Sequence, residues 1–320
     1  MSSVEATIVV PTFGRSSVLS RTLARLNAVQ APVGGWEVVV VDDGSADDTP
    51  KVIEDWLATA AMRACAVRQD NRGAAAARNR GCCEAVGRVL VFIDNDILVE
   101  PDFVQRHLAA LASNSGSLIT GRIVHAPEIR MTPFGRYRDQ LATSFAAAAP
   151  EVGGLSGQNL SLYAKDFRRL GGFDERFRIA SCEDADLAVR ASAAGLRIVH
   201  DPSIVVIHED WAIDLARYCE RQRLYSVSDV LLWNKYGERS PRAALVVANQ
   251  RRSLRNTAKR LLASAVGTGL LRVLCAVVEA VAPDTRLSHR CYEAALAVAI
   301  HRGVEEGLAL FGSAGAGASS

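Results

Sequence analysis

The chain has 320 residues, of which 49% are hydrophobic and 22% charged, and its formal net charge at pH 7 is +2. This composition predicts a globular protein with one large domain, or one domain and an appendage, and the small net charge gives no argument for a nucleic-acid partner. No run of about 18 uninterrupted apolar residues occurs, so we expect no membrane span. Residues 1–6 lack signal-peptide character, and seven cysteines without a C-x-x-C pair favour reduced thiols. We therefore expect a cytoplasmic protein.

Apolar segments and turn residues alternate through the first hundred residues. The order β-α-β-α-β-α-β predicts a parallel, doubly wound sheet whose strand ends line one crevice. The predicted strands cover residues 6–10, 37–41, 64–68 and 89–93, and the helices between them cover residues 17–29, begin at residues 47–49, and cover residues 74–86.

Two carboxylates, Asp94 and Asp96, directly follow the fourth predicted strand. The apolar run before them is typical of a central strand that is covered on both faces, and ligands bind at the carboxyl ends of such strands. Close carboxylates with no nearby lysine are costly unless water or a cation balances them. One interpretation is a divalent metal that carries substrate phosphates; the other is that both residues open a surface turn or cap a helix.

Six motifs then recur in a fixed order across residues 5–210. They are VVPTFGR (9–15), VVVDDGSADDT (39–49), NRGAAAARNRG (71–81), FIDND (92–96), GQNLSLYAKDFRRLGGFDERF (157–177) and EDADLAVR (183–190). On these motifs the sequence resembles the family 2 glycosyltransferases, enzymes with the GT-A nucleotide-sugar-binding fold. The resemblance implies a doubly wound, mostly parallel sheet flanked by helices. It also implies transfer of a sugar from a nucleoside diphosphate sugar to an acceptor hydroxyl, with inversion favoured and retention left open.

The first three motifs are expected to hold the nucleotide. The ring of Phe13 can stack on the base, which contributes roughly 1–3 kcal/mol, or it can pack in the core. The resemblance implies that the backbone from Pro11 to Phe13 frames the base and that Asp43 accepts hydrogen bonds from it, although Asp43 can instead cap a helix. Of the arginines in the third motif, Arg78 is favoured to pair with the diphosphate through its planar fork of donors.

The resemblance assigns a Mg²⁺ or Mn²⁺ site to the fourth motif. Asp96 is then the metal ligand, and Asp94 contacts the ribose or the water shell of the metal. Some GT-A enzymes place a third ligand after a later strand, and His208 follows the predicted strand 197–207 at that position. A neutral imidazole is a competent ligand, but His208 can also be a hydrogen-bonded loop residue. The cation would act as a Lewis acid on the leaving diphosphate.

The last two motifs are expected to form the acceptor side. By resemblance, Asn159 faces the sugar and acceptor pocket, Asp184 is the base that takes the proton of the acceptor hydroxyl, and Glu183 orients Asp184. A base must lie within about 2.6–3.2 Å of the hydroxyl in the productive complex. The alternative is that these carboxylates only favour the start of a helix, because the helix dipole stabilises negative charge there.

We expect a catalytic domain at residues 1–211, with a nucleotide-sugar half (1–100) and an acceptor half (101–211), then a helical region at 212–311 and a disordered tail at 312–320. From Arg239 to Val278 there is no Asp or Glu, while arginines accumulate among apolar residues. Such helices either rest on anionic lipid at the inner face of the membrane, or hold a lipid-phosphate acceptor. Alternatively, they pack on the catalytic domain or form a homodimer.

The expected donor is a UDP-sugar, with dTDP- and GDP-sugars open, and the acceptor is a glycan, a lipid-linked compound or a natural product. Two other classes share parts of the pattern. A nucleotidyltransferase usually has a Gly-rich phosphate loop after the first strand, which PTFGRSS does not supply. An inactive nucleotide-binding scaffold would not need the retained carboxylates.

Overall fold

The computed structural model describes residues 4–148, 155–179, 181–210, 213–251 and 253–312. The chain divides into two compact units: unit 1 contains residues 1–126 and 149–210, and unit 2 contains residues 127–148 and 211–320. Unit 1 thus ends where the expected catalytic domain ends, but residues 127–148, expected in the acceptor half, belong to unit 2. Apart from Gly312, the expected tail lies outside the described residues.

Unit 1 is built on an eight-stranded sheet with the strand order β3-β2-β1-β4-β7-β6-β8-β5. The four strands that were predicted in the first hundred residues lie side by side in this sheet. The strands are β1 (Ala6–Thr12), β2 (Trp36–Asp42), β3 (Arg63–Arg68), β4 (Val89–Phe92), β5 (Ile97–Val99), β6 (Ser117–His125), β7 (Leu160–Tyr163) and β8 (Arg197–His208).

Helices flank this sheet, and unit 2 is helical in its described part. In unit 1 the helices are α1 (Ser16–Asn27), α2 (Thr49–Leu57), α3 (Ala74–Glu84), α4 (Phe103–Ser113), α6 (Ala164–Leu170) and α7 (Glu183–Ala193). In unit 2 they are α5 (Pro133–Ala148), α8 (Leu215–Tyr236), α9 (Ala243–Gln250), α10 (Leu254–Leu262), α11 (Ala265–Val281) and α12 (Arg286–Phe311), with 3₁₀ turns at Pro127–Met131 and Gly237–Arg239.

Strands β1 to β4 pair in parallel, which confirms the predicted doubly wound arrangement. Strands β1, β2 and β4 are buried over their whole length, as expected for strands rich in Val and Ile that helices cover on both faces. Beyond β4 the sheet is mixed: β7 is antiparallel to β4 and β6, β6 and β8 are parallel, and β5 is antiparallel to β8. Strand β5 was not predicted from the sequence.

Helix α3 packs closely on the sheet because its inward side chains are small. Ala75 and Ala77 are buried. A Cβ atom added to Gly81 would lie 2.5 Å from Cγ1 of Val9 and 3.1 Å from Cγ2 of Val41. This close contact sets the distance between α3 and strands β1 and β2. It therefore also sets the position of Arg78, which lies on the same helix.

Substitution of Gly81 tests this packing. We expect Gly81→Ala to lower the free energy of unfolding by about 1–3 kcal/mol, because overpacking a core forces side chains and backbone apart. The measurement is urea unfolding. The matched control is Gly269→Ala in α11, where an added Cβ meets nothing within 4 Å; here we expect a gain of up to about 1 kcal/mol from helix propensity. Equal effects of the two substitutions would contradict the packing argument.

Candidate active site

The predicted nucleotide and metal residues follow three adjacent strands. Strand β1 lies between β2 and β4, and all three run in parallel, so their carboxyl ends meet at one edge of the sheet. The side chain of Asn95 donates to Oγ1 of Thr12 at 2.9 Å, which joins the segment after β4 to the end of β1. The site residues after these strands therefore share one crevice of unit 1.

Asp43 lies at the end of β2 and is buried. Its Oδ1 accepts from Nε2 of Gln69 at 2.7 Å and from the backbone N–H of Arg72 at 2.9 Å, and its Oδ2 accepts from the backbone N–H of Gly73 at 2.8 Å. Asp43 thus holds the loop that leads into α3. A carboxylate offers about four lone-pair sites, so one acceptor position remains at Oδ2. Gly44 has φ +87°, as the predicted turn requires.

Phe13 and the surface beside Asp43 are open to a ligand. The ring of Phe13 is 57% exposed, which excludes the alternative that it packs in the core. Pro11 is buried in β1 and fixes the backbone that leads to Phe13. A cavity of about 530 Å³ is lined by Gly44, which follows Asp43, and by Arg68, Gln69, Asp70 and Asn71 at the end of β3. An exposed aromatic ring and a polar cavity suit a nucleobase.

Asp96 is buried and paired with two basic side chains. Its Oδ2 accepts from Nη1 of Arg15 at 2.8 Å and lies 3.3 Å from Nε2 of His208. Burial alone would raise the pKa of Asp96, but its hydrogen bond with His208 and the charges of His208 and Arg15 lower it to about 2. Arg15 and His208 therefore balance the charge of Asp96, a role that the sequence suggested for a metal. The side chain of Asp96 neither caps a helix nor faces open solvent.

These residues fit a divalent cation in part. Oδ1 of Asp96 is buried and has no hydrogen-bond partner among the described residues, so an acceptor oxygen is available. His208 is close enough to Asp96 to share a ligand with it. The described residues hold no group of three or more His, Cys, Asp or Glu side chains with metal-binding geometry. A cation here would take its remaining ligands from substrate phosphates and water, which is how Mg²⁺ is commonly held.

Arg78 lies at the centre of a second charged group. It is 2% exposed, and it donates from Nη2 to Oδ1 of Asp94 at 2.6 Å and from Nη1 to Oε1 of Glu183 at 2.7 Å. The Phe173 ring lies 5.5 Å from its Cζ atom. A Cβ on Gly157 would come within 3.0 Å of the guanidinium. The planar fork that was predicted to bind the diphosphate thus bridges two carboxylates from different parts of unit 1.

Helix α7 presents Glu183 and Asp184 in its first turn. Burial, together with the charge of Asp184, raises the pKa of Glu183 to about 7 although Arg78 opposes this. Burial also raises the pKa of Asp184, whose Oδ1 accepts from the backbone N–H of Ala185 at 2.7 Å. Asp184 is half-buried, whereas Glu183 is buried. Asp186, by contrast, pairs with Arg190 of the same helix at 2.7 Å.

Asn159 does not face a pocket, and this prediction is wrong. Its side chain is fully buried. Its Nδ2 donates to the carbonyl oxygens of Ile204 at 3.0 Å and Arg122 at 3.3 Å, and its Oδ1 contacts Nε2 of His107 at 3.0 Å. The amide therefore joins β7 to β6 and β8. Burial lowers the pKa of His107 to about 4, so its neutral ring suits a structural role.

Sequence reasoning assigned no role to several residues that complete the site. Arg15 lies in the first motif but was given no role, and it pairs with Asp96. Nε2 of Gln158 lies 3.4 Å from Nε2 of His208. Arg15 and Cys182 have positive φ angles of 61° and 70°, which non-glycine residues rarely adopt. Both precede helices that carry site residues or their neighbours. Only the PTFGR motif offered a signal, since an arginine so close to a strand end can reach the crevice.

Comparison with known proteins gives this geometry a context. A family model described as glycosyl transferase family 2 matches residues 7–182, more than half of the chain. Validoxylamine A glucosyltransferase from Streptomyces hygroscopicus subsp. jinggangensis is 29% identical in an alignment 255 residues long that covers 70% of this chain and 58% of that protein. Pre-mycofactocin glycosyltransferase from Mycobacterium tuberculosis is 28% identical in an alignment 299 residues long that covers 90% of this chain and 59% of that protein. The chain thus spans less than two thirds of the length of these curated relatives.

Solved structures share the fold. A Pyrobaculum calidifontis mannosyltransferase, PcManGT, in complex with GDP-Man and Mn²⁺ matches with a TM-score of 0.64 and 21% identity, over 93% of this chain and 86% of that one. Residues 1–349 of TarS from S. aureus in complex with UDP-GlcNAc match with a TM-score of 0.51 and 16% identity, over 97% and 93% of the two chains. These likenesses confirm the predicted GT-A type of fold. On the family model together with this fold, the chain belongs to glycosyl transferase family 2.

Proposed function

We propose that this protein transfers a glycosyl group from a nucleoside diphosphate sugar to an acceptor hydroxyl, with inversion and with a divalent cation at Asp96. The observation that supports it best is the arrangement of charge along the crevice. Asp96 offers a buried oxygen without a hydrogen-bond partner in the described part of the chain, and Arg78 links Asp94 to the first turn of α7, where Asp184 lies. A cation site and a basic carboxylate are thereby held on one rigid frame.

In this proposal the nucleotide occupies the edge formed by β1 and β2. Phe13 stacks on the base, and the free lone pair on Oδ2 of Asp43 accepts an N–H group of the base. Asp94 has one oxygen bonded to Arg78, and its other oxygen faces the ribose. Asp96 and His208 would hold Mg²⁺ or Mn²⁺, which supplies positive charge to the leaving diphosphate when it is bound.

Asp184 takes the acceptor proton. The acceptor oxygen forms a bond to the anomeric carbon on the face opposite the diphosphate, the bond from that carbon to the diphosphate oxygen breaks, and the hydroxyl proton passes to Oδ2 of Asp184. The raised pKa of Asp184 makes it a stronger base while it is ionised. Glu183 and Arg78 act on Asp184 as positioning residues. We propose this role for Arg78 in place of diphosphate binding, because both of its terminal nitrogens are engaged.

A UDP-sugar is the first donor to test, with dTDP- and GDP-sugars next. The structural neighbours that hold UDP-GlcNAc and GDP-Man support both nucleotide types. The carboxylates that would hold the cation and take the proton do not specify the acceptor class, whether glycan, lipid-linked compound or natural product. Water is therefore the practical acceptor for a first assay.

Removal of the Asp96 carboxylate tests the cation site. For the native protein we expect a nucleotide sugar to raise Tm in the presence of Mn²⁺, because a ligand stabilises the state that binds it. Asp96→Ala and Asp96→Asn should both lose the Mn²⁺-dependent part of the shift. Asp55→Ala, which removes an exposed carboxylate on α2, is the control and should keep it. Retention of the shift in both Asp96 variants would exclude Asp96 as a ligand.

Substitution of Asp184 tests the base. With a donor found in the binding screen and water as acceptor, Asp184→Asn should slow release of the nucleoside diphosphate by about 10²–10⁴-fold, the usual contribution of general base catalysis, and leave donor binding intact. The control is Asp174→Asn, which changes a carboxylate in the loop between α6 and α7. Its rate should remain within a factor of about two of the native rate. Near-native release by Asp184→Asn would contradict the assignment.

The same assay separates the proposal from its alternatives. The anomeric configuration of the released sugar, measured by NMR, should be inverted, and a retained configuration would contradict the proposed direct displacement. Formation of pyrophosphate instead of a nucleoside diphosphate would indicate nucleotidyl transfer. Metal-dependent binding without any turnover would indicate a nucleotide-binding scaffold.

A further inference from the structure

Helix α11 in unit 2 leaves a continuous apolar stripe uncovered. The stripe consists of residues spaced at 4, 3, 1, 3 and 4 positions, which lie on one side of a helix. Each of them is between 51% and 75% exposed. The residues of this α11 stripe are Val266, Leu270, Val273, Leu274, Val277 and Val281.

The opposite side of α11 is already buried in one core cluster of unit 2. Leu271, Cys275 and Val278 are buried and pack with Cys291 and Ala295 of α12. A surface helix of a water-soluble unit normally carries polar residues on its outer side. In α11 the outer side is apolar, so it provides a contiguous surface of the kind that marks an interaction site.

Helix α10 repeats the pattern directly before α11. Leu254, Ala258 and Leu261 are spaced at i, i+4 and i+7 and are exposed, with Leu254 91% exposed. Arg255 lies beside this apolar side and is exposed as well. An apolar side flanked by basic residues is typical of a helix that lies in the surface of a membrane.

The positive charge between Arg239 and Val278 favours one kind of partner over another. No Asp or Glu occurs between Arg239 and Val278. Arg242 pairs with Asp229 and Arg260 with Glu305, so these two are neutralised within unit 2. Arg251, Arg255 and Arg272 remain at the exposed surface. A second copy of this chain would bring the same positive charges to the contact and be repelled, whereas an anionic lipid surface is complementary.

Helices α10 and α11 are apolar enough to contact a membrane, and they are bent relative to each other. Among the described residues no single helix has the length and apolar composition to cross a membrane, and α10 with Val266–Val281 reaches that composition only as a pair bent by 90°. We propose that the outer sides of α10 and α11 form a docking surface for an anionic lipid bilayer. Among the roles predicted for these helices, this favours lipid contact over homodimerisation. The inference does not rest on the proposed glycosyl transfer.

Vesicle binding of the full chain tests the proposal. We expect the protein to sediment with vesicles of phosphatidylcholine and phosphatidylglycerol, and much less with phosphatidylcholine alone. The double variant Leu270→Glu, Val277→Glu should weaken binding by at least about tenfold, since charged residues do not enter the interface. Arg251→Gln and Arg255→Gln should each weaken binding to the anionic vesicles by about fivefold, and added salt should weaken it further.

Val33→Glu is the matched control, because Val33 is 98% exposed and lies in unit 1. It should bind vesicles as the native chain does, and Tm of every variant should stay near the native value. Absence of binding to anionic vesicles, or equal binding to both vesicle types, would overturn the proposal. So would a native dimer, seen by light scattering without lipid, that Leu270→Glu, Val277→Glu converts to a monomer.

Discussion

The candidate site depends on one buried ion pair network, the guanidinium of Arg78 between Asp94 and Glu183. A buried charge is tolerated only when partners satisfy it, and loss of one partner of such a pair typically costs about 3–5 kcal/mol. Arg78 is 2% exposed and its partners lie 16 and 105 residues away along the chain. The network therefore fixes the carboxylate after β4 relative to the first turn of α7. The side of the sheet expected to hold the donor and the helix with the candidate base cannot shift independently.

A second group applies the same constraint to Asp96. Arg15 and His208 hold its charge in the absence of any other cation, and the pKa of Asp96 falls to about 2. One oxygen of Asp96 nevertheless stays free of protein partners in the described part of the chain. This combination keeps a buried carboxylate ionised although one of its oxygens has no protein partner, and it pairs with an Arg15 side chain that is 46% exposed.

In unit 2 apolar side chains lie on the outer surface as well as in the core. One of its core clusters is formed by the inner sides of α11 and α12, while the outer sides of α10 and α11 expose Leu and Val to solvent. The arginines of the region without acidic residues lie among these apolar positions. The hydrophobic effect favours burial of apolar side chains. The exposed α11 stripe is therefore the feature of unit 2 that indicates a partner.

The sequence by itself determined the fold of the first hundred residues and the family, because apolar runs that end in Asp or Gly are local signals and the six motifs keep their order. It also predicted Asp43, Asp94, Asp96 and Asp184 as candidate site residues. Only the tertiary structure decided what each side chain contacts. Asn159 is bonded to β6 and β8 instead of facing a pocket, and Arg78 is enclosed by carboxylates 16 and 105 residues distant. Such pairings depend on how distant segments pack, which residue type and spacing do not encode.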